Sequence, residues 1–121
     1  MNRSHENLRL RTRQFALRIV RMHIALPKSN LGIVLGRQIL RSGTSVGAHY
    51  AEACRAKSRP DFVSRIEGAM QELEETVYWM DLLADAKVVA APKLAALQKE
   101  ASELMAIFVT MTKRTKQALK S

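Results

Sequence analysis

The chain has 121 residues, 47% of them hydrophobic and 26% charged, so we expect one compact domain over residues 1–121 and exclude a disordered or low-complexity chain. Its single cysteine, Cys54, excludes an intramolecular disulfide framework and a multi-cysteine zinc site. No apolar run reaches the roughly 20 residues of a membrane span, and no secretory h-region is visible. We therefore expect a cytoplasmic protein with no membrane contact.

Positive charge is concentrated in the first half of the chain. The formal net charge is +9, and residues 1–59 hold 12 Lys and Arg but only two acids, whereas residues 60–121 hold eight Lys and Arg and nine acids. Such asymmetry favours a polyanionic partner. The alternative is internal, with the basic half packed beside an acidic third helix.

Four helices follow one another along the chain. Apolar residues recur at helical spacing between short stops and nowhere alternate as in a strand, which predicts helices over residues 6–26, 31–57, 60–87 and 92–118. Asn30 is the predicted N-cap of the second helix, and Ser58 opens an N-terminal box with Pro60 and Asp61 on the third. Short connections then predict an all-α, antiparallel up-down-up-down four-helix bundle.

Two helices are apolar on more than their core face. Leu17, Val20 and Ile24 form a second stripe on the first helix, opposite its core face. On the third helix Tyr78 points away from the core stripe, and Trp79 lies on its flank. A bundle needs one buried stripe per helix, so these five residues predict a subunit interface. The alternative is that Leu17 and Val20 pack under a terminal segment.

Glycines mark one face of the second helix. Gly32, Gly36, Gly43 and Gly47 fall within about 60° of arc at 100° per residue. A glycine inside a helix costs about 1 kcal/mol relative to alanine, so we expect a neighbouring helix to approach closely there. A phosphate loop is not indicated, because neither Gly-x-Gly-x-x-Gly nor a Gly-Lys-Ser/Thr ending is present.

The cations of the basic half are the candidates for nucleic-acid contact. Arg37 and Arg41 lie opposite the glycine face, and the densest cluster surrounds the start of the third helix. No aromatic residues interleave with these cations, so base stacking is poorly supported. A solvated polar face is the alternative. The candidate nucleic-acid-binding residues are Arg9, Arg13, Arg37, Arg41, Arg55, Lys57 and Arg59.

Enzyme chemistry is difficult to assemble from this sequence. Glu67, Glu74, Asp81 and Asp85 form an acidic ridge on the third helix, but a carboxylate-metal bundle would need Glu-x-x-His pairs, and the histidines supply none. We therefore predict no catalytic residue, metal or cofactor. The ridge is interpreted as a solvated face or a partner for arginines, and Cys54 as a small buried apolar residue.

Two motifs resemble a known bacterial family. Residues 37–56 (RQILRSGTSVGAHYAEACRA), followed by KSRPDF at residues 57–62, and the run QELEETVYW at residues 71–79 are similar to the motifs of a four-helix-bundle family. Its members include proteins encoded in intervening sequences of 23S rRNA genes. The resemblance extends over about residues 15–113. Arg41, Ser45 and Glu52 match the residues usual in that family. At two further positions this chain differs: it has His49 where the family usually has Asn, and Ala53 where the family usually has Gly.

The resemblance implies both an assembly and partners. It implies a ring-like homo-oligomer, typically a pentamer. It also points to related accessory proteins of retroelements, which use a basic surface to bind nucleic acid and a reverse transcriptase. Two functions follow: an RNA- or DNA-binding oligomer that contacts phosphates without reading sequence, with rRNA among its partners, or a protein-interaction scaffold whose arginines pair with acidic ridges of the same or another protein.

Overall fold

Four helices account for most of the protein. The computed structural model describes residues 3–120, with side chains described from Asn7 onward. The helices are α1 (Arg3–Ala25), α2 (Asn30–Ala53), α3 (Arg59–Asp85) and α4 (Ala91–Lys120). Each packs against the next in sequence, and α1 also contacts α4. The predicted antiparallel up-down-up-down four-helix bundle is confirmed, and the described residues contain no strand.

Local hydrogen bonding shifts two of the predicted helix ends. Ser29, rather than Asn30, caps α2: its backbone is extended and its Oγ accepts a hydrogen bond from the Gly32 N–H at 3.1 Å. Asn30 is instead the first residue of the helix. At the C-terminal end of the next helix, α3 stops at Asp85 instead of residue 87 because Lys87 adopts a left-handed backbone with φ 60°, which cannot continue a right-handed helix.

The turn between α2 and α3 is longer than predicted. α2 ends at Ala53, four residues before the predicted end at 57, because Ser58 must be extended to cap α3. The Ser58 Oγ accepts from the Asp61 N–H at 3.1 Å, and the Asp61 carboxylate accepts from the Lys57 N–H at 3.2 Å. These bonds satisfy donors that the start of a helix leaves unpaired. The predicted N-terminal box is therefore confirmed.

The buried apolar side chains of the four helices form one hydrophobic core. Each helix presents one row of side chains to the centre, as the 3.6-residue period requires. The largest fully buried side chains are Phe15 and Ile19 of α1, Ile39, Val46 and Tyr50 of α2, Ile66, Leu73, Met80 and Leu83 of α3, and Leu94, Leu104 and Phe108 of α4.

The glycine face of α2 packs against α1. A Cβ built on Gly43 would lie 2.8 Å from Cγ1 and 2.9 Å from Cγ2 of Ile19, closer than side-chain atoms approach. Gly36 and Gly47 also face α1, whereas Gly32 lies against the α1–α2 turn. The predicted close approach of a neighbouring helix is confirmed. The two helices lie side by side, so their solvent-facing sides adjoin.

Candidate nucleic-acid interface

One flank of α2 forms a polar seam with α3. The Arg41 guanidinium donates to both carboxylate oxygens of Glu72, with Nη1···Oε2 at 3.0 Å and Nη2···Oε1 at 3.3 Å, and Nη2 also reaches Glu75 Oε1 at 3.3 Å. The Glu72 side chain is only 12% exposed, whereas that of Arg41 is 52% exposed. His49 Nε2 lies 3.9 Å from Glu72 Oε2. The seam is thus organised around one largely buried carboxylate.

The seam shifts the pKa values of Glu72 and Glu75 in opposite directions. Burial raises the pKa of the Glu72 carboxyl, but hydrogen bonds with Arg41, Glu75 and Ser45 outweigh burial and leave that pKa below its ordinary value. The hydrogen bond that Glu75 shares with Glu72 raises the pKa of Glu75. When pH falls, Glu75 therefore takes up a proton before Glu72, and the bond between Arg41 and ionised Glu72 persists.

The four family-motif positions lie along this same flank. Ser45 Oγ donates to the Arg41 carbonyl at 2.6 Å, and the ring of His49 lies against Gly68, where a Cβ would be 3.2 Å from Nδ1. Glu52 accepts a hydrogen bond from Arg65 of α3. Arg41 and Glu52 therefore pair with side chains of α3, and His49 packs against that helix. Ser45 bonds within α2.

A groove runs along the outer side of α1 and α2. Its volume is about 480 Å³, and Arg9 and Arg13 line its α1 wall. The α2 wall is made of small side chains, which leave the two guanidinium groups accessible. Among the described side chains, no carboxylate lines the groove. The remaining lining residues are Leu10, Thr12, Ala16, Thr44, Gly47, Ala48 and Ala51.

A second cavity lies at the end of the bundle, where the α2–α3 turn meets the last turns of α4. Its volume is about 540 Å³, and three cations line it: Lys57, Arg59 and Arg114. Phe62 contributes an aromatic ring to the lining. Cys54, which was interpreted as a small buried apolar residue, also lines this cavity and is half-buried against the core. We call this space the end cavity.

The groove and the end cavity flank the same final turns of α2, since Ala48 and Ala51 line the groove and Ala53 lines the end cavity. Tyr50 of these turns is fully buried. Burial and a hydrogen bond with Cys54 raise the pKa of its phenol, and the positive charge of Arg9 opposes that rise.

The predicted cations separate into distinct environments. Arg41 is neutralised in the seam, whereas Arg9 and Arg13 line the groove and Lys57 and Arg59 line the end cavity. Arg37 and Arg55 are exposed. Among the described side chains, no carboxylate lies within ion-pair distance of any predicted cation except Arg41.

Arg114 is the functional candidate that sequence reasoning missed. Residues 104–121 contain Lys113, Arg114, Lys116 and Lys120 but no acid. This local excess of positive charge does not show in the net charge of residues 60–121, because acids earlier in that half offset it. Packing of α4 brings this basic end beside Lys57 and Arg59. The positive surface therefore does not belong to the first 59 residues alone.

The acidic ridge does not pair with the predicted arginines in the described part of the chain. Glu67 accepts a hydrogen bond from Lys116 of α4 at 3.0 Å, and Asp81 accepts one from Gln98 at 3.1 Å. Glu74 and Asp85 are exposed. Of the two interpretations of this ridge, the described contacts favour the solvated face, because Arg41 meets a different row of α3.

Other carboxylates of α3 and α4 pair with arginines of α1 and α2. Arg41 meets Glu72 and Glu75. Arg11 Nη2 binds Glu100 at 2.6 Å and Glu103 at 3.2 Å, which ties α1 to α4. These pairs leave the outer face of α1 and α2 without a described acidic partner.

The residues predicted for subunit contact differ in exposure. Leu17 and Ile24 are 41% and 68% exposed, and Tyr78 is exposed as well. Val20 is half-buried. Trp79 packs partly against the core, and its ring meets that of Tyr78 edge-on, with centroids 5.1 Å apart.

The exposed apolar row on α1 is longer than predicted. Leu10 is 54% exposed and lies seven residues before Leu17, as Leu17 does before Ile24, so the three share one side of α1. We call Leu10, Leu17 and Ile24 the outer stripe. Leu17 and Ile24 were predicted from the sequence to lie in a subunit interface, whereas Leu10 was not.

The family model for the 23S rRNA-intervening sequence protein matches residues 7–110. The chain belongs to that family. A solved structure from Bacteroides thetaiotaomicron VPI-5482, described as a protein with unknown function from the S23 ribosomal protein family, is 31% identical, with a TM-score of 0.85. The similarity covers 90% of this chain and 97% of that one. No curated protein matches.

Membership in the 23S rRNA-intervening sequence family confirms the resemblance carried by residues 37–62 and 71–79. The matched region includes Lys57 and Arg59 but ends before Arg114, so the α4 wall of the end cavity lies outside it. Among the described residues of this family member, no helix combines the length and hydrophobicity of a membrane-spanning segment. The relation to retroelement accessory proteins and the pentameric ring remain predictions.

Proposed function

We propose that this member of the 23S rRNA-intervening sequence family is a non-enzymatic, homo-oligomeric protein of the cytoplasm that binds RNA or DNA. The contacts are made to phosphates, so base sequence is not read. Arg9, Arg13 and Arg37 on the outer face of α1 and α2, with Lys57 and Arg59 at the end of the bundle, supply them.

The observation that carries this proposal is the segregation of charge over the surface. Glu52 is the only described carboxylate side chain of α1 and α2, and Arg65 of α3 neutralises it. The guanidinium groups of Arg9, Arg13 and Arg37 therefore have no described acidic partner, which favours a polyanion over a structural role. The groove beside Arg9 and Arg13 gives a phosphate backbone room to approach.

Self-association is supported by the outer stripe. Leu10, Leu17 and Ile24 leave an apolar row in water on α1, and burial of such a row is the usual driving force for subunit contact. Repetition of the basic face around a homo-oligomer would raise the effective concentration of binding sites for one long strand. A pentamer is the assembly that we propose.

The test is retention of a 23S rRNA fragment, and of a DNA duplex, at rising salt. We expect binding that falls linearly on a log–log plot, with a slope of about −0.9 per phosphate contacted on duplex DNA and about −0.7 on single strands. A fragment of scrambled sequence should bind equally well. Absence of retention at low salt would remove the proposal.

Paired variants locate the binding surface. Arg9→Gln with Arg13→Gln should make the slope on single-stranded RNA shallower by about 1.4, because two phosphate contacts are lost. The matched control is Lys93→Gln with Lys99→Gln, which removes the same charge from exposed positions in the first half of α4. An equal loss in both pairs would mean that net charge, rather than this face, determines binding.

The second candidate function, a protein-interaction scaffold, is favoured by the outer stripe as well. It differs in the role of the arginines, which would pair with carboxylates of a neighbouring subunit or another protein. Charge reversal by Arg37→Glu separates the two: a change in oligomer mass by light scattering, with RNA retention unchanged, would favour the scaffold.

A further inference from the structure

The end cavity combines the two chemical features that a nucleotide needs. Lys57, Arg59 and Arg114 place three positive charges on its lining, and Phe62 adds an aromatic ring beside small apolar side chains. Its volume of about 540 Å³ lies within the roughly 300–1,000 Å³ of ordinary ligand sites. Cations suit a phosphate, and an aromatic face suits a base.

No described side-chain carboxylate pairs with the cations of the end cavity. Asp61 is the nearest carboxylate in sequence, but it accepts from the Lys57 N–H and from Arg65 Nε and does not line the cavity. Among the described side chains, Lys57, Arg59 and Arg114 form no ion pair with a carboxylate. The three charges are thus left for a bound anion.

The number of cations favours a phosphomonoester over the phosphodiester of a continuous backbone. A monoester carries about −1.5 to −2 charges at neutral pH, and a diester linkage carries one. A monoester also offers three terminal oxygens, so it can accept from several donors at once. Three cations from the turn, α3 and α4 match the more highly charged group, which occurs at the phosphorylated end of a strand.

We propose that the end cavity binds the terminal nucleotide of a nucleic-acid strand through its phosphomonoester, with the base against Phe62. The inference rests on the proposed function, because it makes the end cavity the place where a strand held by the basic face terminates. Both spaces flank the final turns of α2, with Ala48 and Ala51 in the groove and Ala53 in the end cavity. A strand that follows Arg9 and Arg13 would have to pass those turns to enter the cavity.

The test compares one short single-stranded RNA, labelled internally with a fluorophore, in three forms: with a 5′-phosphate, with a 3′-phosphate, and with hydroxyls at both ends. Anisotropy titrations should show that one phosphorylated form binds about tenfold more tightly than the hydroxyl form, as expected for added hydrogen bonds between charged groups. Which phosphorylated form binds more tightly assigns the strand polarity. Adenosine monophosphate, added as competitor, should reduce binding of that form.

Variants then assign the preference to the end cavity. Arg59→Gln with Arg114→Gln should abolish the tenfold preference, whereas the pair Lys93→Gln with Lys99→Gln should keep it. Both arginines are exposed, so the bundle should stay folded, and circular dichroism checks this. A preference that survives in the Arg59/Arg114 variant would overturn the assignment.

The remaining outcomes separate this inference from the proposed function. Equal binding of all three RNA forms would overturn the end-cavity proposal and leave phosphate-backbone binding intact. If no RNA binds at low salt but adenosine monophosphate binds and is lost in the Arg59/Arg114 variant, the proposed function fails and the cavity stands as a nucleotide site. Absence of binding by both probes would overturn both.

Discussion

Arg41 of α2 and Glu72 of α3 form a bidentate salt bridge, with N···O distances of 3.0 and 3.3 Å. An arginine that the sequence marks as a phosphate ligand is therefore already neutralised by its own chain. The pair gives α2 and α3 a fixed angular register, because both guanidinium nitrogens and both carboxylate oxygens take part.

Removing the charge of Glu72 should destabilise the bundle. For Glu72→Gln we expect the free energy of unfolding at neutral pH to fall by about 1–2 kcal/mol, since Arg41 loses its strongest hydrogen bonds but remains partly solvated. Urea titration measures the change. Glu74→Gln, at an exposed position of α3, is the matched control and should change stability by less than about 0.5 kcal/mol.

The contribution of Glu72 should depend on pH. Because the pKa of Glu72 is lowered in the folded protein, the unfolded state binds more protons between the two pKa values, and stability rises with pH there. The advantage of the wild type over Glu72→Gln is thus full above the ordinary glutamate pKa of about 4.3. It is lost as pH falls through the lowered pKa. An equal advantage at neutral and strongly acidic pH would contradict this.

Arg37 and Arg41, one helical turn apart, should differ in their effect on RNA binding. Arg37→Gln should make the salt slope on single-stranded RNA shallower by about 0.7, as one phosphate contact is lost. Arg41→Gln should change the slope less, because Glu72 and Glu75 already share its charge, and should instead lower stability. If Arg41→Gln reduced the slope as much as Arg37→Gln, the seam would not neutralise Arg41 in solution.

A methyl group at Gly43 should destabilise the packing of α1 on α2. Gly43→Ala gains about 1 kcal/mol of helix propensity but drives a Cβ to within 2.8 Å of the fully buried Ile19. We expect a net loss of about 1–2 kcal/mol in the free energy of unfolding, measured by thermal or urea unfolding.

A double-mutant cycle isolates this contact. Ile19→Ala removes Cγ1 and Cγ2, the two atoms nearest to the new methyl group. The double variant should therefore lose less free energy of unfolding than the sum of the losses in the two single variants. Strict additivity would show that the loss at Gly43 arises elsewhere.

The outer stripe should control assembly more than folding. Leu17→Gln with Ile24→Gln should lower the oligomer mass measured by light scattering, because the apolar row no longer gains from burial, while helix content stays unchanged. Val109→Gln, at an exposed apolar position of α4, serves as the control and should leave the mass unaltered. An unchanged mass in the double variant would place the subunit contact on another face.

The fold was largely predictable because helical periodicity is a local property. Apolar residues at helical spacing predicted all four helices, and the spaced glycines predicted a close helix contact. Helix ends were less accurate, since the end of α2 depends on how Ser58 caps the following helix. Capping is decided by backbone geometry as well as by residue type.

The sequence by itself determined the bundle, its apolar faces, the family and an excess of positive charge. Which cations remain available was decided only by tertiary structure, because an ion pair depends on distances between residues far apart in the chain. Packing neutralised Arg41 with Glu72 and left Arg9 and Arg13 beside an open groove. It also brought Arg114, from the half of the chain without a net positive charge, next to Arg59.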